Sequence, residues 1–214
     1  MNTIIVNNPA VESFLAKFRN METGTYECNV CVETMSFFLA GEISKYLSTE
    51  ERKVKTPLGI KKCDLISEEV ILLPVLRAGV SMLNGFQRVL PNSKTGFVWA
   101  HRNNNAIAEL DKYKFPADME NKTVIILDTM IATGGTINLV SKLLKPYKTK
   151  RVFCASILSI PYGLGKLSSE IDSVFTIGVS DSLNDSLYVY PGVGDSGDRL
   201  YGWCDCLFCD ETLM

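Results

Sequence analysis

The sequence has little of what directs a chain to a nucleic acid or a membrane. Of its 214 residues, 22 are Lys or Arg and 24 are Asp or Glu, which gives a net charge of −2. Without a surplus of basic residues, we expect no nucleic-acid partner. The longest uncharged run extends from Val152 to Gly165 and contains Pro161. Because a spanning helix needs about 20 apolar residues, we expect no membrane partner either.

Targeting signals are also lacking. The first basic residue is Lys17, so the N-terminal stretch has no basic segment of the kind that begins a secretory signal, and the C-terminal residues CDETLM match no retention or prenylation signal. We therefore expect a cytoplasmic location. Hydrophobic residues make up 46% of the chain, which is ordinary for a globular protein. The length predicts one domain over residues 1–214, in which residues 203–214 form a C-terminal extension of unassigned role.

Disulfide and zinc sites have little support, although the chain has seven cysteines. The number is odd and no export signal accompanies it, so a disulfide framework is not expected. Cys28-x-x-Cys31 and Cys204-x-Cys206-x-x-Cys209 have the spacing of zinc or redox sites, but the two clusters are distant in sequence and the chain has a single histidine. Cys28 and Cys31 lie in a stretch with helical spacing, where buried thiols pack as small apolar residues, and we favour that interpretation.

Short apolar stretches alternate with stretches of helical spacing along the chain. The predicted strands are residues 70–75, 96–100, 123–127, 151–160 and 174–179, and the predicted helices are residues 9–20, 29–47, 80–90 and 137–144. Residues 51–63 are charged and contain a Thr-Pro-Leu-Gly turn, which predicts a hairpin or loop. The alternation predicts an α/β fold with a parallel sheet covered on both faces. Ligands bind such sheets at the carboxyl ends of the strands.

The loop after the strand at residues 123–127 has a phosphate-binding pattern. Asp128 follows the strand, and the loop ends in Thr133-Gly134-Gly135-Thr136, where a helix begins. Adjacent glycines and a helix N-terminus bring backbone N–H groups together around a phosphate monoester, and Asp128 can accept hydrogen bonds from sugar hydroxyls. The pattern therefore predicts a ribose 5-phosphate pocket. The alternative is a plain strand–loop–helix turn capped by a threonine. A Walker-type site is not indicated, because no G-x-x-x-x-G-K-[ST] motif occurs.

The segment VIILDTMIATGGT, residues 124–136, resembles the phosphoribosyl-pyrophosphate (PRPP) signature of type I phosphoribosyltransferases, in the D-P-M-L-A-T-G-G-[ST] form of the uracil phosphoribosyltransferases. The resemblance covers about residues 8–202. It implies the type I fold, in which helices flank a central, mainly parallel sheet and a small hood and a β-arm are added. The PRPP-binding residues that it implies are Arg77, Arg102, Asp128, Thr129, Met130, Ile131, Ala132, Thr133, Gly134, Gly135, Thr136 and Asp195.

The stretch L-P-V-L-R-A-G, residues 73–79, follows the first apolar strand and resembles the family's pyrophosphate-binding P-I-L-R-A-G. Arg77 offers a planar fork of donors to phosphate oxygens, and Gly79 allows the backbone a close approach. A surface arginine at a strand end is the alternative interpretation. The ribose-phosphate loop makes the pyrophosphate interpretation the better one.

The glycine-rich stretch YVYPGVGDSGDRLYG, residues 188–202, resembles the family's uracil-recognition segment Y-I-x-P-G-L-G-D-A-G-D-R-x-F-G. The resemblance implies that Val189, Gly194 and Ser196 contact the base, and that Asp195 contacts the base through its backbone and PRPP or its magnesium through its carboxylate. The stretch also contains a G-x-G-x-x-G pattern. We reject a dinucleotide site because Pro191 precedes the pattern, no helix is predicted after it, and the chain ends before an acidic residue ~20 positions further on.

The sequence departs from the family pattern at two places. Thr129 replaces a proline after Asp128, so we expect a looser loop. His101-Arg102-Asn103 replaces the more usual Tyr-Arg-Asp/Glu at the start of the lid, residues 101–110, which also lacks the family's acidic-Thr pattern. Arg102 is retained for phosphate contact. We interpret His101 as a partly exposed polar residue rather than as a catalytic base.

The resemblance implies an enzyme that converts uracil and PRPP to UMP and pyrophosphate. The catalytic residues that it implies are Arg77, Arg102, Asp128 and Asp195, with Mg²⁺ carried by PRPP. It also implies a homodimer or a higher homo-oligomer, with residues 48–65 as an arm. GTP is an effector of some members, and no motif here decides whether it acts on this chain. Two alternatives stay open: an inactive PRPP- or nucleotide-binding regulatory homologue, and transfer to another base.

Overall fold

The computed structural model describes residues 1–102, 108–184 and 187–202, with the backbone alone at Arg102. The helices are α1 (Pro9–Arg19), α2 (Thr25–Ser44), α3 (Leu83–Val89), α4 (Gly135–Leu144), α5 (Pro161–Gly165) and α6 (Ser196–Tyr201), with short 3₁₀ turns at Ala78–Met82 and Lys145–Tyr147. The strands are β1 (Asn2–Ile5), β2 (Thr49–Thr56), β3 (Gly59–Ile66), β4 (Val70–Leu76), β5 (Lys94–Thr95), β6 (Phe97–Arg102), β7 (Ala108–Lys114), β8 (Thr123–Leu127), β9 (Met130–Ile131), β10 (Arg151–Ser159), β11 (Ser173–Val179), β12 (Ser182–Leu183) and β13 (Val189–Tyr190).

The main sheet has the strand order β1-β11-β10-β8-β4-β6-β7, and β5 and β9 add short pairings to β4 and β10. All of these pairs are parallel except β6 with β7. β7 is therefore an antiparallel edge strand on a parallel sheet. The predicted mainly parallel α/β sheet is confirmed.

Strands β4, β8 and β10 are buried almost throughout because helices cover both faces of the sheet. Successive residues of a strand point to opposite faces. Ile125 and Leu127 of β8 therefore join the core cluster that includes α1, α2 and α3, whereas Val124 and Ile126 join the cluster that includes α4. The apolar side chains of these strands therefore contribute to two hydrophobic clusters, one on each face of the sheet.

The edge of the sheet where the parallel strands begin holds a buried carboxylate. Glu68, whose side chain is 3% exposed, accepts hydrogen bonds from the guanidinium of Arg151 at 2.6 Å, the Nζ of Lys150 at 3.1 Å, the backbone N–H of Ser48 at 2.8 Å and the hydroxyl of Thr123. Burial alone would raise the pKa of the Glu68 carboxyl, but the hydrogen bonds from Arg151, Thr123 and Ser48 outweigh it and hold that pKa below its usual range. Glu68 thus joins the starts of β4, β8 and β10 to the chain before β2.

Strands β2 and β3 form a hairpin that pairs with itself from Thr49↔Ile66 to Thr56↔Gly59 and is not part of the main sheet. Its side chains are exposed almost throughout, and they include the apolar residues Val54, Leu58 and Ile60. A two-stranded hairpin with no third strand or helix against it is marginally stable in water. The structure confirms a hairpin where the sequence predicts a hairpin or loop.

Each predicted strand and helix is present, with ends that differ by up to four residues. Sequence reasoning missed β1, β7, α5 and α6, and it missed the two-residue strands β5, β9, β12 and β13. β7 reads AELDKYK, and its polar residues fit an edge strand that is largely exposed. No helix within the described residues is both long enough and apolar enough to span a membrane.

Candidate active site

A cleft of about 500 Å³ opens at the carboxyl ends of β4, β6 and β8. The predicted site residues that line it are Arg77, Asp128, Thr129, Met130, Ala132, Thr136, Val189, Asp195 and Ser196. They come from the turn after β4, the loop after β8 and the glycine-rich segment. Three motifs that are far apart in the sequence therefore meet in one cavity.

The loop after β8 is fixed by backbone contacts before α4 begins. The carbonyl of Thr129 accepts hydrogen bonds from the N–H groups of Ile157 and Leu158, both at 3.0 Å. Gly134 has a φ of 78°, and a Cβ there would lie 2.8 Å from the carbonyl oxygen of Gly163. Both the left-handed backbone and the close approach require glycine at this position.

The N-cap of α4 is Gly134, which has no side chain, but the hydroxyl of Thr133 accepts the N–H of Gly135 at 3.5 Å. The structure therefore shows a threonine contact at the start of the helix, made from the position before the N-cap. The first N–H groups of any α-helix lack partners within the helix, and its N-terminus carries a partial positive charge. The start of α4 beside the cleft is chemically suited to an anion such as a phosphate monoester.

Arg77 lies between the turn after β4 and the glycine-rich segment. Its Nη2 donates to Oδ1 of Asp198 at 2.9 Å, and a Cβ at Gly197 would lie 3.1 Å from the same nitrogen. Two residues further on, Gly79 packs against β8, because a Cβ there would lie only 2.2 Å from the carbonyl oxygen of Leu127. This contact brings Arg77 and Asp128 to the same cleft.

The glycine-rich segment ends in a short helix, so the expectation that no helix follows the G-x-G-x-x-G pattern is wrong. α6 begins at Ser196, and the carboxylate of Asp195 caps it by accepting the N–H of Asp198 at 2.9 Å. The helix begins before the third glycine and is six residues long. It therefore has a different geometry from the strand–turn–helix of a dinucleotide site.

Two arginines hold the glycine-rich segment to the end of α1. Arg19 donates to the carbonyl oxygen of Pro191 at 2.5 Å and to the hydroxyl of Ser180 at 3.1 Å. Arg199 donates to the carbonyl oxygens of Val193 at 3.2 Å and Asn20 at 2.7 Å. These charge-assisted contacts fix the backbone of the segment without using a side chain inside the cleft.

Comparison with known proteins gives the family of the chain. The family model described as uracil phosphoribosyltransferase matches residues 5–202. The chain belongs to the uracil phosphoribosyltransferase family. A curated relative of that name from Dictyoglomus turgidum is 34% identical over 204 residues, which cover 93% of this chain and 98% of the relative. A relative of the same name from Campylobacter jejuni is 33% identical and covers 94% of this chain.

Solved structures confirm the fold. The AQ2163 protein from Aquifex aeolicus is 31% identical and superposes with a TM-score of 0.88, over 94% of this chain and 98% of its own. A hypoxanthine phosphoribosyltransferase from Staphylococcus aureus is 12% identical and superposes with a TM-score of 0.51, over 71% of this chain and 74% of its own. The second likeness shows the type I phosphoribosyltransferase fold alone.

Other predicted residues of the uracil phosphoribosyltransferase site lie beside the cleft or outside the described part of the chain. Gly194 lines an adjoining cavity of about 610 Å³, together with Val189 and Asp195. Ile131, Thr133, Gly134 and Gly135 belong to the stretch from β9 to the start of α4 and are not among the residues that line the cleft. The side chain of Arg102 and residues 103–107 of the lid lie outside the described residues, as does the extension at residues 203–214.

The structure gives no support to a metal site built by the protein alone. Within the described ranges, no three His, Cys, Asp or Glu side chains lie close enough to hold a metal ion. Cys28 and Cys31 are buried in α2, and burial raises the pKa of both thiols. Cys204, Cys206 and Cys209 lie outside the described residues.

Sequence reasoning missed three features of the cleft. Asp198 pairs with Arg77, Tyr201 lies close to Ser81 of the turn after β4, and His101 lines the cavity. The first two contacts join α6 to that turn, so they depend on an element that was not predicted. The signal for His101 was its place directly after an apolar strand.

Proposed function

We propose that this chain transfers the phosphoribosyl group of PRPP to uracil and releases UMP and pyrophosphate. The observation that carries the proposal is the convergence of Arg77, Asp128 and the glycine-rich segment on one cleft. Membership of the uracil phosphoribosyltransferase family supports the same reaction.

In this proposal the loop after β8 binds the ribose 5-phosphate. The first-turn N–H groups of α4 and the hydroxyls of Thr133 and Thr136 would hold the phosphate. Asp128 would accept hydrogen bonds from the two ribose hydroxyls, because an ionised carboxylate is an acceptor at both oxygens. The stretch between Asp128 and the phosphate-binding threonines would be formed by Met130, Ile131 and Ala132.

The glycine-rich segment would bind uracil. The base has two carbonyl oxygens and two N–H groups, and the backbone of Val189, Gly194 and Asp195 can match that pattern. Val189 and Ser196 are almost fully buried, so the base would meet a wall that excludes water. The two arginine clamps on this backbone support a rigid site.

The residues present also fit a magnesium ion that arrives with PRPP. Mg²⁺ is commonly held by one or two carboxylates together with substrate phosphates rather than by a complete protein cage. Asp128 and Asp195 line the same cavity. Asp195 accepts one N–H at the cap of α6, and a carboxylate has further lone pairs for a second partner. When bound, the ion would neutralise part of the pyrophosphate charge.

The reaction breaks the bond from C1 of the ribose to pyrophosphate and forms the bond from C1 to N1 of uracil, with loss of the N1 proton. Arg77 would stabilise the negative charge that develops on pyrophosphate, and Arg102 would do so from the lid. The chain would otherwise act by aligning the base with C1 and by excluding water. These roles of Arg77, Arg102, Asp128 and Asp195 are proposals.

We also propose that the protein is a homodimer or a higher homo-oligomer in which the β2–β3 hairpin contacts a second copy. The exposed apolar residues of the hairpin support this proposal, because burial against a partner would stabilise them. The single domain over residues 1–214, a cytoplasmic location and a GTP effector stay predictions. The free thiols of the described residues fit a reducing compartment.

The test of this function is the formation of UMP from labelled uracil and PRPP with Mg²⁺. Omission of PRPP and chelation of Mg²⁺ serve as controls. UMP formation that stops in both controls supports the proposal. A folded chain that binds PRPP and forms no nucleotide with any base contradicts it and favours the regulatory alternative, for which no observation speaks at present.

A further inference from the structure

His101 is the only histidine of the chain, and it lies at the end of β6, where the family pattern has a tyrosine. Its side chain is about half exposed and lines the cleft. The register of β4 with β6 pairs Leu76 with Trp99, so Arg77 comes one residue and His101 two residues after the last paired position. His101 and Arg77 line the same cleft, and the proposed function puts pyrophosphate beside Arg77.

One carboxylate of β7, that of Asp111, orients the imidazole ring, and that of Glu109 lies near the ring beyond hydrogen-bond distance. Nδ1 lies 2.9 Å from Oδ2 of Asp111, and Nε2 lies 3.6 Å from Oε2 of Glu109. An ionised carboxylate can only accept, so the ring carries its hydrogen on Nδ1 and donates it to Asp111. This contact fixes the tautomer. Nε2 is then a lone pair in the neutral ring and an N–H donor in the imidazolium.

The two protonation states would act differently on an anion in the cleft. The imidazolium would donate a charge-assisted hydrogen bond from Nε2 to a phosphate oxygen. The neutral ring would present a lone pair to the lone pairs of that oxygen. Among the described residues, Glu109 and Asp111 on β7 are the charged groups nearest the ring, and Arg77, Asp128 and Asp195 line the same cavity.

We propose that His101, oriented by Asp111, is a binding residue for the pyrophosphate group, through a hydrogen bond that Nε2 donates when the ring is protonated. No proton is transferred in this contact. The proposal rests on the proposed function for the identity of the anion. It makes pyrophosphate affinity depend on pH in a way that a tyrosine at this position does not reproduce.

The test uses the untagged chain, in which the ring signals of the one histidine are assigned without ambiguity by NMR. The pH midpoint of these signals is measured without and with Mg²⁺ and inorganic pyrophosphate. Since the anion prefers the imidazolium, we expect pyrophosphate to move the midpoint to higher pH. An unchanged midpoint in a chain that binds pyrophosphate overturns the proposal.

A second measurement compares the pyrophosphate dissociation constants of three chains by calorimetry, at one pH below and one pH above the midpoint that NMR gives for the ring. These are the unchanged chain, His101→Tyr and Lys112→Gln, which removes an exposed cation of β7 that does not line the cleft. Ionisation of pyrophosphate affects all three alike. We expect affinity to fall between the two pH values by roughly tenfold more in the unchanged chain and in Lys112→Gln than in His101→Tyr. Parallel behaviour of the three chains overturns the proposal.

UMP formation by the same samples separates this inference from the proposed function. Turnover with uracil together with an unchanged midpoint refutes the role of His101 alone. A shifted midpoint without turnover supports that role and refutes the transferase function.

Discussion

Arg77 and Asp128 follow neighbouring strands, β4 and β8, and the contact of Gly79 with the carbonyl of Leu127 keeps their turns together. Arg77 is paired with Asp198 at 2.9 Å. Its guanidinium is thus positioned at the cleft before a substrate arrives. Such preorganisation is what stabilisation of a charged leaving group needs.

We predict that Arg77→Ala and Asp128→Asn each lower kcat/KM for UMP formation by roughly 10²-fold or more, because each removes a charged contact to PRPP. Thermal unfolding should change little, since both residues lie at the end of strands rather than in the core. Arg88→Ala is the matched control, because Arg88 is exposed and pairs with Glu33 outside the cleft. Near-normal turnover of both site variants would contradict the proposed roles of Arg77 and Asp128 in PRPP binding.

The sequence allowed the prediction of Arg77 and Asp128 because each is part of a local motif that follows an apolar strand, whereas Asp195 was predicted only from the resemblance of the glycine-rich segment to the family. The Arg77–Asp198 and His101–Asp111 pairs were beyond prediction. Each pair joins a motif residue to an element, α6 or β7, whose own sequence is polar or glycine-rich. Pairs of this kind depend on how secondary-structure elements pack against each other, and the spacing of residues along the chain does not predict that packing.

The loop between β8 and α4 combines one glycine that the backbone requires with one that it does not. Gly134 has a positive φ and a backbone oxygen within 2.8 Å of a built Cβ, whereas the nearest atom to a Cβ at Gly135 is the Cβ of Ala108 at 3.5 Å, an ordinary contact. Alanine substitutions at the two adjacent positions therefore distinguish the effect of backbone strain, expected only at Gly134, from the effect of replacing a glycine.

We predict that Gly134→Ala lowers the free energy of unfolding by about 1–3 kcal/mol, since both the backbone and the contact with Gly163 become strained. Gly135→Ala should unfold at nearly the temperature of the unchanged chain. Thermal denaturation of the two variants side by side makes the comparison. Equal stability of the two variants would contradict the described loop geometry.

Glu68 lies at the edge of the sheet opposite the cleft, where it joins the starts of three strands. We predict that Glu68→Gln lowers the free energy of unfolding by about 3 kcal/mol near pH 7, because it leaves Arg151 without its buried partner. Glu22→Gln, an exposed change, should have no measurable effect.

The effect of Glu68→Gln should also depend on pH. The pKa of Glu68 is lowered in the folded chain, so its contribution is complete above the ordinary glutamate pKa of about 4.3 and is lost as the pH falls below that value. The stability gap between the unchanged chain and Glu68→Gln, measured in urea, should therefore narrow in acid. A gap that stays constant or widens on acidification would refute the proposed linkage.

At the scale of elements, β4 and β8 were predictable because four or more consecutive apolar residues fit a strand covered on both faces. β7 was not, because an exposed edge strand needs no apolar alternation. β1 has only four residues and pairs with β11 at the far edge of the sheet. Packing, rather than local preference, decides whether such short segments become strands.

The molecule as a whole extends an exposed hairpin away from its sheet. In the proposed dimer or higher oligomer, a second copy covers this hairpin. We predict that Leu58→Asp, at the hairpin turn, weakens self-association, because it puts a charge into the contact. Tyr162→Asp is the control, since Tyr162 is an exposed apolar residue of α5, at the opposite edge of the sheet. Sedimentation velocity over a range of concentrations measures both. A monomer in the unchanged chain would contradict the dimer.

The central claim is that one cleft joins a PRPP site to a site for uracil. The most direct test is the rate of nucleotide formation with PRPP, Mg²⁺ and each of four bases: uracil, cytosine, orotate and hypoxanthine. Because a backbone that hydrogen-bonds one base leaves unpaired polar groups with another, we predict that uracil is preferred by at least about 10³-fold in kcat/KM. Comparable or faster turnover with hypoxanthine, orotate or cytosine would contradict the account.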